Sequence, residues 1–155
     1  MEEKTLVINY SQFTISELET TDRNLISEAQ KAMEGSYSPY SKFKVGAAVL
    51  LDNGIIVRGA NQENASYPVG MCAERVALFY AGANYKDNNI ISIAISAKNE
   101  NEEFSQAYPC GACLQVMVET QLRTKRKLRI IVQKNAEIVQ VFNGIESLIP
   151  FSFSL

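Results

Sequence analysis

The sequence predicts an α/β fold, with one sheet carrying helices on its faces. Two observations predict its class. Segments with helical apolar spacing alternate with short runs rich in Val and Ile, the pattern of a sheet covered by helices. Two such runs flank Asp52-Asn53-Gly54, a hairpin turn signal. A third observation sets its size: 155 residues, 46% hydrophobic and 21% charged, suit one soluble globular domain.

Each element has a local reason. Residues 1–21 form an N-terminal extension, in which Thr5 to Tyr10 either adds an edge strand or belongs to a tail. Residues 22–155 form the single domain. Asp22 caps a helix running to about Glu34 and closed by Gly35. Ser36 to Ser41 (SYSPYS) is turn chemistry. Lys44 to Leu51 reads as a buried strand, and Ile55 to Gly59 as its hairpin partner. Asn61 to Gly70 is an irregular loop. Cys72 to Gly82 is a helix, because Ala73, Val76, Ala77, Tyr80 and Ala81 form one apolar stripe. Ile90 to Ala97 is a strand in which Ile91, Ile93 and Ile95 alternate with smaller residues. Cys110 to about Leu122 is a helix, followed by strands at Leu128 to Val132 and Glu137 to Val141. The predicted order is α, β, β, α, β, α, β, β.

Composition excludes several functions. A net charge of −2 offers no electrostatic footprint for nucleic acid. The one basic run, Arg123 to Arg129 (RTKRKLR), follows a helix and complements its C-terminal dipole. No apolar stretch is long enough to span a bilayer, so no membrane partner is expected. The start, MEEKTLVINY, does not read as a signal peptide. Reduced cysteines then imply a cytoplasmic location.

Chemistry concentrates at the cysteines. The chain has three cysteines and no histidine. The cysteines fall in Cys72-Ala73-Glu74 and Pro109-Cys110-Gly111-Ala112-Cys113. On a helix, Cys110 and Cys113 share a face at i and i+3 and can grip one ion. Pro109 suits a chain turning into a first helical turn. Cys72 and Glu74 converge only where Cys72 starts a helix. Two helix N-termini then face one metal, and their partial positive charge favours thiolate. Three thiolates leave the fourth zinc position open, as a catalytic site requires.

Other readings of the cysteines account for less. A disulfide plus one free thiol fits poorly with an odd count. A structural zinc normally takes four Cys or His ligands, which this chain lacks. Inert buried cysteines do not explain all three lying in two motifs. The arrangement resembles the zinc deaminase signature, in which the Glu is a proton carrier rather than a ligand.

Further motifs narrow the resemblance. They are Tyr40-Ser41-Lys42-Phe43-Lys44-Val45-Gly46-Ala47-Ala48, Asn61-Gln62-Glu63-Asn64-Ala65-Ser66-Tyr67-Pro68, Met71-Cys72-Ala73-Glu74-Arg75 and Leu148-Ile149-Pro150. With the Pro109 motif they make the chain, from about Asp22 onward, similar to the small homotetrameric cytidine deaminases. The resemblance implies a three-layer fold with a mixed five-strand sheet between helices. It implies one zinc per chain held by Cys72, Cys110 and Cys113, and Glu74 as the catalytic proton shuttle. It implies a nucleoside substrate, with Asn61 and Glu63 on the ribose and Phe43 on the pyrimidine. Tyr67 and Ala73 join the substrate contacts. Phe153, with Phe151 as runner-up, reaches a neighbour's active site in the tetramer. The implied reaction is hydrolytic deamination of cytidine and deoxycytidine in pyrimidine salvage. In the loop before the metal motif, Asn64 reads as a loop-stabilising residue.

One position departs from the family: Leu114 stands where Arg is frequent. That leaves Arg75 as the nearby cation to offset the thiolates. Rival functions are a deaminase of a nucleoside antibiotic or modified cytidine, a non-catalytic zinc-stabilised scaffold, and a nucleic-acid editing enzyme. Glu74 speaks against the scaffold, and the net charge against the editor.

Overall fold

A computed structural model, describing residues 1–154, resolves the alternating pattern into a six-stranded sheet. The strands are β1 (Ser11–Thr14), β2 (Lys44–Leu51), β3 (Ile56–Ala60), β4 (Ile90–Lys98), β5 (Arg129–Gln133) and β6 (Ile138–Asn143). They lie in the order β1-β6-β5-β4-β2-β3. The helices are α1 (Thr20–Ala32), α2 (Ala73–Asn84) and α3 (Gly111–Thr124). The β4–β5 pair is parallel and the other neighbouring pairs are antiparallel, so the sheet is mixed.

The sheet has one strand more than the five expected. The addition is β1, paired from Ser11↔Val141 to Thr14↔Ile138. Its sequence, Ser-Gln-Phe-Thr, carries little strand signal; pairing with the open edge of β6 makes it a strand. Thr5 to Tyr10 has the stronger strand composition, yet it forms no regular structure and stays exposed. Asp22 is not a cap either. The helix α1 starts two residues earlier, and Asp22 lies in its first turn. Its carboxylate accepts hydrogen bonds from Arg129 Nε (2.9 Å) and Nη2 (2.6 Å), tying α1 to β5. The helix ends through a 3-10 turn, Met33–Gly35, rather than a left-handed glycine.

Strand alternation divides the core into two layers. On one face of the sheet, Leu25, Ile26 and Ala29 of α1 pack against Ala48, Leu50, Ala94 and Ile131. On the other, Ala77, Leu78 and Ala81 of α2 and Met117 and Val118 of α3 pack against Ala47, Val49, Ile93, Ile95 and Ile130. Each fully buried Leu, Ile or Met contributes about 1.5–3 kcal/mol by leaving water. The result is three layers, with α2 and α3 side by side.

One glycine sets how closely α2 lies on the sheet. A Cβ at Gly59 would stand 2.5 Å from Ala77 N and 2.6 Å from Ala73 O. Backbone cannot yield as a flexible side chain can. Gly59→Ala is therefore expected to overpack this contact at a cost of about 1–3 kcal/mol. Thermal unfolding should show Tm lower by about 2–10 °C. An unchanged Tm would contradict this account of helix placement.

Candidate metal centre and cleft

Both metal-bearing helices begin with a cysteine as N-cap. Cys72 caps α2 with φ −72° and ψ 149°, and Cys110 caps α3 with φ −70° and ψ 167°. Pro109 sits one residue outside the α3 cap. This extended cap backbone lets each side chain lie against the end of its own helix. Cys113 follows in the first turn of α3, fully buried, while Cys72 is half-buried and Cys110 exposed.

The three sulfurs all lie within 4.8 Å of one another. Cys72 Sγ to Cys110 Sγ is 3.8 Å, and Cys110 Sγ to Cys113 Sγ is 3.5 Å. Tetrahedral zinc with Zn–S bonds of about 2.3 Å places its sulfurs about 3.8 Å apart. All three cysteines are free thiols, so none is withheld in a disulfide. Among the described residues, no carboxylate or imidazole joins the cluster. The donor set fits one zinc ion per chain with its fourth position open.

The electrostatics are prepared for anions. A hydrogen bond from Cys113 lowers Cys72 to about 5, against the opposing effect of burial. Arg75 adds to the lowering, with Nη2 3.7 Å from Cys72 Sγ. The Cys113 thiol is pushed up, because it holds the proton it donates to Cys72. A cation bound by the three sulfurs takes over the role of that shared proton. Glu74, only 4% exposed, is raised to about 7, chiefly by burial and further by the Cys72 charge.

The centre opens into a cleft of about 450 Å³. Phe43, Asn61, Glu63, Tyr67, Ala73, Glu74 and Arg75 all line it beside Cys72 and Cys110. Phe153 does not line its own chain's cleft. It is 67% exposed, and its carbonyl accepts a hydrogen bond from Gln115 Nε2 at 3.0 Å.

Asn61 is more committed than expected. Its Oδ1 accepts from Ser36 Oγ (2.6 Å) and Val45 N (2.9 Å), and its Nδ2 donates to Phe43 O (2.9 Å). One amide hydrogen remains for a ligand. Asn61 therefore braces the rim, alongside Asn64, whose Oδ1 accepts from Ser66 N at 2.9 Å. Glu63 accepts from Tyr40 N (2.9 Å), Ser41 N (3.2 Å) and the Ser41 hydroxyl. Those bonds, the hydroxyl's foremost, lower its pKa and keep it ionised. Three of a carboxylate's roughly four acceptor positions are filled.

Tyr40, Met71 and Tyr108 also line the cleft, and sequence reasoning did not single them out. The available signal was adjacency: Tyr40 opens the Tyr40–Ala48 motif, Met71 precedes Cys72, and Tyr108 precedes Pro109.

A mixed sheet with two cysteine-capped helices meeting at three clustered thiols defines a zinc-centre fold with one metal position open. The family model for the cytidine and deoxycytidylate deaminase zinc-binding region matches residues 19–126, and the chain belongs to this family. It is 50% identical over 95 residues to a cytidine deaminase of Halalkalibacterium halodurans, covering 61% of this chain and 68% of that one. It is 38% identical over 99 residues to a cytidine deaminase of Mycobacterium tuberculosis, covering 63% and 71% respectively. The crystal structure of a Burkholderia pseudomallei cytidine deaminase superposes with a TM-score of 0.71 at 38% identity. That alignment covers 84% of this chain and 97% of the other. No helix among the described residues is long and apolar enough to cross a membrane.

Burial of Glu74 has a consequence for stability. Its folded pKa, about 7, exceeds the ordinary 4.5. Its contribution to the metal-free fold is thus full below about pH 4.5 and is lost as pH rises through about 7. Compared with Glu74→Gln, the metal-stripped protein should lose denaturant midpoint between about pH 5 and pH 8. A difference between the two proteins that stays constant with pH would contradict the raised carboxyl.

Proposed function

We propose that this chain hydrolyses cytidine and deoxycytidine to uridine and deoxyuridine with release of ammonia. The observation that carries the reading is the buried Glu74 at the head of α2, beside three thiols that leave a metal position open. Bound zinc supplies Lewis-acid activation of water near neutral pH. The rest falls to the chain's own residues.

Glu74 takes a proton from the attacking water and delivers it to N3 of the pyrimidine, which makes C4 electrophilic. Water oxygen adds at C4; Glu74 then moves the remaining hydroxyl proton to the amine, the C4–N bond breaks, ammonia leaves and C4=O forms. A group that must accept and donate near neutrality benefits from a pKa of about 7. Phe43 offers an aromatic surface to the base. Glu63, ionised, has one acceptor position left for a ribose hydroxyl, and Asn61 has one amide hydrogen. Tyr67 and Ala73 complete the contacts. The reading favours nucleosides over free cytosine, and it places the activity in cytoplasmic pyrimidine salvage.

Ultraviolet assay of cytidine, deoxycytidine, cytosine and deoxycytidine monophosphate tests this function. The two nucleosides should be turned over in preference to cytosine. Glu74→Gln should retain zinc and fold yet lose at least about 10²–10⁴-fold in kcat. A wild-type protein inactive on both nucleosides, or a Gln variant within about tenfold of it, would sink the proposal.

The same reading takes residues 22–155 as one catalytic domain and the protein as a homotetramer. Phe151 and Phe153, 89% and 67% exposed, are free to cover a neighbour's cleft. Excluding water there strengthens the electrostatics of the site. Light scattering should count about four chains per particle, with activity falling on dilution. A fully active monomer would remove the shared site.

A further inference from the structure

The segment ahead of β1 lies outside the stretch matched by the family model, which starts at residue 19. Its last residues nevertheless pack behind the cleft. Ser11 pairs with Val141, and continuing that antiparallel register sets Tyr10 opposite Phe142. Their rings stack, with centroids 5.4 Å apart and planes 30° apart. Phe142, 4% exposed, meets Tyr108 edge-on at 6.3 Å and 74°. Both are favoured geometries for aromatic pairs.

Tyr108 is a partition between two spaces. One side of it lines the cleft that holds Glu74. The other lines an apolar recess shared with Ile8, Tyr10, Leu114, Phe142 and Leu148. Its hydroxyl donates to Gln140 Oε1 at 2.5 Å, and Gln140, 5% exposed, is fixed within β6. Gln106 Nε2 bonds both groups, at 2.6 Å to the hydroxyl and 2.8 Å to Gln140 Oε1. The N-terminal arm is tethered in turn, since Ser147 Oγ donates to Asn9 O at 3.1 Å. Leu114 supplies an apolar wall to a recess whose other walls, Ser147 apart, are aliphatic and aromatic.

We propose that Tyr10 is a positioning residue for the cleft: its stack on Phe142 holds Tyr108 as the wall against which the nucleoside lies. The proposal rests on the nucleoside reading above. Gln140 fixes only the hydroxyl end of Tyr108. The ring's orientation depends on its edge contact with Phe142, and Tyr10 confines that ring from the outside. Removing Tyr10 frees Phe142 and then Tyr108, so substrate binding must order the wall again. Tyr10 does not line the cleft that holds Glu74, Cys72 and Cys110, although its recess borders Pro109 and Leu114, so the chemical step should be largely spared. This predicts a change in KM with little change in kcat.

Steady-state kinetics on cytidine with Tyr10→Ala and Tyr10→Phe test the proposal. Tyr10→Ala should raise KM about two- to tenfold, the range set by one aromatic pair, with kcat within about twofold. Tyr10→Phe should restore KM, because the stack uses the ring alone. A second readout does not depend on turnover. The chain has no tryptophan, so Tyr108→Trp is a sole fluorescent reporter. Adding Tyr10→Ala to it should increase acrylamide quenching. An unchanged KM, or a fall in kcat at unchanged KM, overturns the proposal. If the parent turns over no nucleoside, the functional reading fails by itself, and equal quenching with and without Tyr10 then overturns the positioning as well.

Discussion

Everything in this site depends on two helix N-termini being brought to the same place. Cys72 and Cys110 are the N-caps of α2 and α3, and Cys113 lies in the first turn of α3. Two partially positive helix ends repel unless anions lie between them. The thiolates supply those anions, and a divalent cation then holds the thiolates together. Three thiolates on zinc leave an excess of about one negative charge. The helix ends and Arg75, 3.7 Å from Cys72 Sγ, offset it. Leu114, next to Cys113, adds no charge to that balance.

The rest of the molecule arranges support around that point. Gly59 allows α2 to lie directly on β3, which fixes where Cys72 and Glu74 stand. The parallel β4–β5 pair brackets α3, so the chain leaves one strand, forms the helix and returns beside it. The rim is made by loops rather than by regular elements. Asn61 binds Ser36, Phe43 and Val45, and Glu63 binds the backbone of Tyr40 and Ser41. These residues shape the cleft mouth before any ligand arrives, so a substrate meets preformed groups.

Much of this was legible in the sequence, for identifiable reasons. The α2 stripe of Ala73, Ala77 and Ala81 needs no tertiary information, and Cys72 at its head followed from geometry. The hairpin at Asp52-Asn53-Gly54 was equally local. What escaped depends on partners distant in the chain. Ser11–Thr14 is a strand because β6 has a free edge. Asp22 looks like a cap until Arg129 is placed beside it. Asn61 reads as a ligand-binding amide, and only its bonds to residues 36, 43 and 45 show that a single amide hydrogen is left for that purpose. Tyr108 gave no signal beyond adjacency to Pro109, because its place depends on Gln140 and Phe142 from a distant strand.

The most direct test of the central claim is zinc X-ray absorption on the purified, metal-loaded protein. Three cysteines at two helix ends predict three sulfur scatterers at about 2.3 Å and one lighter atom at about 2.0 Å. Four sulfurs, or two sulfurs with nitrogen, would contradict the open three-thiolate centre.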